Sequence, residues 1–557
     1  MTGVPGIRGG AARADFKHRA ALGDYEKAAA LFAETGGGDL APDDHRRHMG
    51  TLLALGDLHV TLGSLEQAAA AFERGLALSV ARAAAAPHEP GRQRDMAIAY
   101  KGLGDVRRAQ GDLAAALDAY RNGLAAAERL AAANPQDASA QRDLSIAHNG
   151  IGAALAFQGD LAAALDAYET ALAIREHLAA AVPDDPVARR DLFFSRTLIG
   201  DLHVSNADLD AALEAFEAGI AITRQLAEVD PGNATVQHDL SVSHQRLGDV
   251  HLLRRDYPAA LDAYEAAFAI RQRLARRDPD NSGWQIELAA AYNRLGDLRQ
   301  RLDEFSNGLE AYRASLAIAE QLVALDPGNA GWQRDLSVAR EKVGDALAAQ
   351  GDRDGALISY CAALEIQQRL SCPTASPCSS PTSRSARRTG AAADPADALW
   401  QRNLAIAHRK IGDVHLVKYQ LDAALEAFRL SHTETERLAL ADPADPELQY
   451  ELAVSRNRIG YVLFVQRNTA GGLAEYQASL AILQRLAETD PGNTVWQRDL
   501  MVIHFQFAEF GVEPAAHLAH ALEMALYLQA GGRLSPDETY FPDMLKRRIA
   551  DLGDADE

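Results

Sequence analysis

The sequence is short of cysteine, of aromatic residues, of basic charge and of long apolar runs, and each shortage removes a class of protein. Three cysteines, Cys361, Cys372 and Cys378, in 557 residues are too few to staple a chain of this size, which fits a reducing compartment. No uncharged apolar stretch approaches the roughly 18 to 20 residues that a bilayer-crossing helix requires, and the opening MTGVPGIRGGAARADFKHRAALG has no apolar stretch of a secretory leader. A cytoplasmic protein without a membrane segment is therefore expected. Lys and Arg total 56 against 77 Asp and Glu, a formal charge of -21, so nucleic acid or an anionic membrane would meet net repulsion. Catalytic signatures are missing too: there is no phosphate loop ending in Gly-Lys-Ser/Thr, no G-x-G-x-x-G after a strand, no H-E-x-x-H and no G-x-S-x-G. The expectation is a non-catalytic chain that uses no cofactor and no metal.

What the sequence does have is a period. A glycine preceded by Leu, Ile or Val recurs at Gly56, Gly104, Gly152, Gly200, Gly248, Gly296, Gly344, Gly412 and Gly460, in steps of 48 residues with one longer step between Gly344 and Gly412. An aromatic follows each glycine at one fixed interval, at Phe72, Tyr120, Tyr168, Phe216, Tyr264, Tyr312, Tyr360, Phe428 and Tyr476. A proline closes each unit, from Pro87 to Pro491. Three columns in one register define a repeat array. With 48% apolar but only 6% aromatic residues, and alanine abundant, close packing of helices is favoured over strands.

One unit, residues 328–370, shows the local chemistry. Asn329 is placed to cap a first helix after the turn Asp326-Pro327-Gly328, and Leu336, Val343 and Leu347 lie along one helical stripe. Gly351 suits a left-handed end to that helix and Asp352 the cap of a second, whose apolar face carries Ala356, Tyr360, Ala363 and Leu364. Neither amphipathic helix can hide its stripe alone, so neighbouring pairs must stack and share a core.

Leu103-Gly104, Ala116, Tyr120 and Gly123, and again Leu247-Gly248, Ala260, Tyr264 and Ala267, make the chain resemble the tetratricopeptide repeat, strongly over about 46–511 and weakly at both ends. The family unit is about 34 residues and this one is 48. The glycine-to-aromatic spacing equals that of the family, so the extra residues lengthen each helix by about two turns. The resemblance implies an all-α solenoid, a right-handed superhelix of stacked antiparallel helix pairs. It also implies a scaffold that holds a peptide segment or domain of a partner protein on its concave face. The alternative is a regulatory or sensor subunit of a signalling system whose effector is on another chain.

The units fall into order along the chain. Residues 1–45 read as a degenerate capping repeat, carrying Gly23-Asp24, Ala28 and Phe32; 46–370 hold seven full units; 391–495 hold two more. Residues 496–557 begin a tenth unit at Trp496-Gln497-Arg498-Asp499-Leu500 and end in a polar closing segment. The longer step contains SCPTASPCSSPTSRSARRTG at 371–390, which reads as a disordered loop, its cysteines without metal-ligand spacing.

Four columns are candidates for function. Aspartate follows the repeat glycine at Asp57, Asp105, Asp201, Asp249, Asp297, Asp345 and Asp413, a position that looks into the groove in the family. It reads either as an acidic ladder for a basic or extended peptide, or as ordinary i,i+3 ion pairs with Arg246, Arg294, Lys342 and Lys410, one helical turn earlier. Asn149, Gln245, Asn293 and Asn457 share a second column that faces the groove in the family and suits a peptide backbone. His59, His203, His251 and His415, and Trp284, Trp332, Trp400 and Trp496, form two more. These read as packing histidines, against a metal or pH role, and as staples between units, against partner anchors.

Overall fold

A computed structural model describes residues 22–31, 42–61, 64–85, 90–370, 395–534 and 538–554. The insertion at 371–390 and Phe32 lie outside them. Among the described residues there is no strand, and no helix is long and apolar enough to cross a membrane. The chain forms two compact bodies that divide at Glu304 and Phe305, with 324–326 belonging to the first. The first contains the pairs Pro42–Thr61 with Leu65–Ala85, Pro90–Ala109 with Leu113–Ala133, Ala138–Gln158 with Leu161–Ala181, Pro186–Ser205 with Leu209–Val229 and Ala234–Leu253 with Tyr257–Arg277, followed by Ser282–Arg301. The second runs from Phe305–Leu325 through Ala330–Ala349 with Arg353–Leu370, Pro395–Val417 with Leu421–Ala441, Pro446–Val465 with Thr469–Thr489 and Thr494–Glu509 with Pro514–Ala530 to Phe541–Asp554. Within each body every pair stacks on the next, the arrangement of an α-solenoid.

Caps fix where the helices start. Asp112, Asp160, Asp208 and Asp256 each accept a backbone N–H from the first turn of a second helix, and Asn233, Asn281, Asn329 and Asn493 cap first helices in the same manner. Second helices therefore begin at Leu113, Leu161, Leu209 and Tyr257, at the same point of each successive unit. In the unit read above, Asn329 accepts from Trp332 N at 3.1 Å and Asp352 from Gly355 N at 2.9 Å, and Gly351 has φ +83°.

The repeat glycine exists because the aromatic of its own unit lies against the first helix. A Cβ at Gly104 would stand 2.5 Å from the Tyr120 ring, at Gly200 2.5 Å from Phe216 and at Gly248 2.6 Å from Tyr264. Those rings are almost wholly buried, and small residues such as Ala116, Ala212 and Ala260 complete the seams. At the ends, Ala29 packs on Leu52, Leu55 and Ala71, and Leu545 of the last helix joins Met501, Leu518, Ala521, Ala525 and Leu528.

Candidate functional site

The Asp column stands on the first helices, immediately beyond the glycine that lets the ring approach. That approach delivers the Tyr hydroxyl to the carboxylate: Tyr120 donates to Asp105 at 2.6 Å, Tyr264 to Asp249 at 2.7 Å and Tyr360 to Asp345 at 2.7 Å. Burial, then the neighbouring carboxylate, pushes these phenols up, so they stay protonated donors. Where the aromatic is Phe216 or Phe428, Asp201 pairs with Arg246, and Asp413 with Arg458 and Arg409, and burial raises both carboxyls above their usual range.

Lys101 and Arg409 pair one turn ahead on their own helix, with Asp105 and Asp413, but Arg246, Arg294 and Lys410 do not pair there as spacing suggested. They reach back one unit: Arg246 to Asp201 at 3.1 Å, Arg294 to Asp249 at 3.7 Å, Lys410 to Asp345 at 2.8 Å and Arg458 to Asp413 at 2.7 Å. Lys342 lies over the Tyr312 ring. Stacking brings the equivalent turns of successive first helices side by side, so the nearer carboxylate is on the neighbour. Such half-exposed pairs contribute about 0.2–1 kcal/mol each, little enough for a partner's groups to exchange with them. Asp297 occupies the same column, half-buried.

The amide column divides. Gln245 is engaged internally: its Oε1 accepts from Arg271 at 2.7 Å, and its Nε2 donates to Asp249 at 3.5 Å. Asn149 and Asn293 are half-buried, and their Oδ1 atoms have no hydrogen-bond partner, as has that of Asn457.

A second ladder escaped the sequence reading. Arg94 donates to Asp143 at 2.6 Å, and Arg142–Asp191 and Arg190–Asp239 close at 2.5 Å, each arginine meeting an aspartate of the next unit. His238–Glu287 at 3.4 Å, Arg402–Glu451 at 2.8 Å and Tyr450–Asp499 at 2.8 Å continue it with other chemistry. The signal was present in the recurring Gln-Arg-Asp-Leu tetrads at 141–144, 333–336 and 497–500.

Between the two ladders runs an apolar column on the same first-helix face: Ile98, Ile146, Phe194 and Val242 in the first body, Val338, Ile406 and Val454 in the second. Ile98 is 42%, Phe194 39% and Val338 38% exposed. Behind it, buried polar side chains fill some units and not others. Arg175 donates to Ser145 Oγ at 3.1 Å, Asp191 O at 2.7 Å and Ser195 Oγ at 3.0 Å, and Arg271 reaches Glu287 at 3.1 Å.

The remaining columns take structural places. His203 and His251 turn toward Asp208 and Asp256 of their own turns at 4.0 and 3.7 Å, and His415 faces Gln420 at 2.6 Å. Trp284 packs on His238 of the preceding unit, Trp496 joins Ala453, Tyr476 and Ile482, Trp332 is buried, and the Trp400 side chain lies outside the described residues. Among the described residues, no group of three His, Cys, Asp or Glu is arranged to hold a metal ion.

Tetratricopeptide-repeat family models match residues 149–186 and 50–79. No curated protein matches the chain. Among solved structures it is similar to BtubC from P. vanneervenii, with 18% identity, 51% of this chain and 93% of that one covered, and a TM-score of 0.37. It is also similar to the apo form of RapI, with 12% identity, 71% and 97% covered, and a TM-score of 0.43. A third is the signal transduction ATPase with a tetratricopeptide repeat sensor, PH0952 from Pyrococcus horikoshii, with 12% identity, 77% and 55% covered, and a TM-score of 0.41. The two family matches, and helix pairs in which a repeat glycine receives the aromatic of its own unit, make this chain a tetratricopeptide-repeat protein.

Proposed function

We propose that the chain is a non-catalytic, cytoplasmic scaffold that docks a peptide segment or domain of a partner protein on its first-helix face, the concave face in the family. The observation that carries this reading is the half-exposed apolar column bounded on both sides by polar rows. The apolar side chains supply contact area and the rows fix register. In this reading Asp201, Asp249, Asp297 and Asp345 exchange their modest intramolecular pairs for a partner's backbone amides or cations. Asn149 and Asn293, half-buried on that face, and Gln245 in the same column take the backbone. A partner bearing basic groups fits the chain's net charge of -21.

The test compares what intact protein retains from native lysate with what three variants retain. Asp249→Asn with Asp297→Asn, and separately Phe194→Asp, should lose the same set of proteins at unchanged helicity, while Glu217→Gln, exposed on a second helix, should keep it. Retention of that set by all three variants would move the docking surface elsewhere.

A further inference from the structure

The repeat is not uniform at its interior, and the first non-uniformity opens a cavity. Between Pro90–Ala109 and Ala138–Gln158 lies a cleft of about 120 Å³ lined by Ala97, Ile98, Tyr120, Gly123, Ile146 and Ala147, with Lys101 and Asp143 at its rim. One unit later the equivalent positions of Ala97, Ala127 and Ala147 are Ser145, Arg175 and Ser195. There the buried Arg175 guanidinium occupies the space, held by both serine hydroxyls and the Asp191 carbonyl. Three alanines remove the filling side chain and its two hydroxyl acceptors together. What is left is an apolar recess whose lip is Ile98, 42% exposed.

The charges at the rim are already matched. Lys101 bonds Asp105 at 2.6 Å and Asp143 accepts from Arg94 at 2.6 Å, so neither sign is left over for a charged occupant. An occupant carrying a charge would enter without a counter-ion, at a desolvation cost, whereas an aliphatic one replaces water against apolar walls. The cleft also continues the apolar column directly, since Ile98 and Ile146 belong to both.

We propose that this cleft is the anchoring pocket of the docking face and takes one uncharged aliphatic side chain, of leucine or methionine size, from an extended segment of a partner protein. The proposal rests on the reading that the first-helix face docks protein, and adds to it the position and chemistry of the anchor.

The test is selection of a phage-displayed random-peptide library on the full chain, followed by fluorescence anisotropy with the selected peptides. They should share one aliphatic residue at a fixed position. The triple variant Ala97→Ser, Ala127→Arg, Ala147→Ser, which installs the filling used by the next unit, should weaken binding at least about tenfold. Ile98→Asn, at the exposed lip, should do the same without touching the core. Replacing the peptide's aliphatic residue by Ala should cost as much, and no more when combined with either variant. Peptides that keep their affinity for both variants but lose it to Phe194→Asp overturn the pocket and leave the docking face standing. Peptides indifferent to all of these, or a library that yields no binder, overturn both.

Discussion

At Gly248 a single methyl group would meet the Tyr264 ring at 2.6 Å, and that ring, 3% exposed and tied through its hydroxyl to Asp249, has nowhere to go. Alanine gains about 1 kcal/mol of helix propensity over glycine, yet overpacking costs about 1–3 kcal/mol. Gly248→Ala is therefore expected to lower the urea midpoint, and Gly91→Ala, with open space around its Cβ, to raise it or leave it. His238 offers a test by pH. The Asp239 carboxylate, and then the Glu287 carboxylate that its ring meets at 3.4 Å, push its pKa up to about 9, above the usual value near 6.5. A raised imidazole pKa means that the folded state binds the proton more tightly, so its contribution is complete below about pH 6.5 and is lost as pH rises through about 9. Thermal melts from pH 7 to 10 should show this loss in the natural chain and not in His238→Arg. The repeat glycines and aromatics were legible because the spacing between them is fixed inside one unit, although each ring, like Phe72 on Val106, also packs on the next. The partner of Arg246 was not, because it depends on how far one unit is offset against the next.

At the scale of the element, the turn between helices holds one residue in the left-handed region in every unit that shows it. Glycine supplies it at Gly111, Gly159 and Gly351, but Ala207, Arg255, Asp303, Tyr419 and Arg467 adopt φ between 58° and 65° in the same place. A side chain there costs about 1–2 kcal/mol, part of which a glycine returns through a freer unfolded chain. Arg255→Gly and Tyr419→Gly should each stabilise by about 0.5–1 kcal/mol, read as a rise in urea midpoint; a fall would mean that the arginine or tyrosine makes a contact worth more than the strain. The sequence announced this position through the Gly-Asp pairs at 111–112, 159–160 and 351–352. Where the glycine is replaced, only the caps that follow, such as Asp256, kept the boundary readable. Arg175 was invisible for the opposite reason: a column that reads Ala127, Arg175, Thr223, Arg271 has no repeating chemistry, and its burial follows from the serines that happen to face it.

For the whole molecule, the interruption after Leu370 is bridged. Lys410 reaches Asp345 at 2.8 Å and Glu341 at 3.5 Å, Lys418 pairs with Asp354, and Ile411 and Val414 share a core with Val343 and Tyr360. The helices on either side of the longer step therefore meet as neighbours do elsewhere in the chain. Deleting residues 371–390 should leave helicity and the steepness of unfolding unchanged by circular dichroism; loss of either would show that the inserted residues support the stack.

The ladder that ties each arginine to an aspartate of the next unit bears on how such a chain grows. Each arginine finds its counterpart in the following copy, never its own, so a cassette one period long carries one half of two successive joints. Where the joint is arginine to aspartate, from Arg94 to Asp239, duplicating or excising a whole cassette in frame leaves the joints complementary. Within that stretch, length can change by tandem steps without new compensating substitutions.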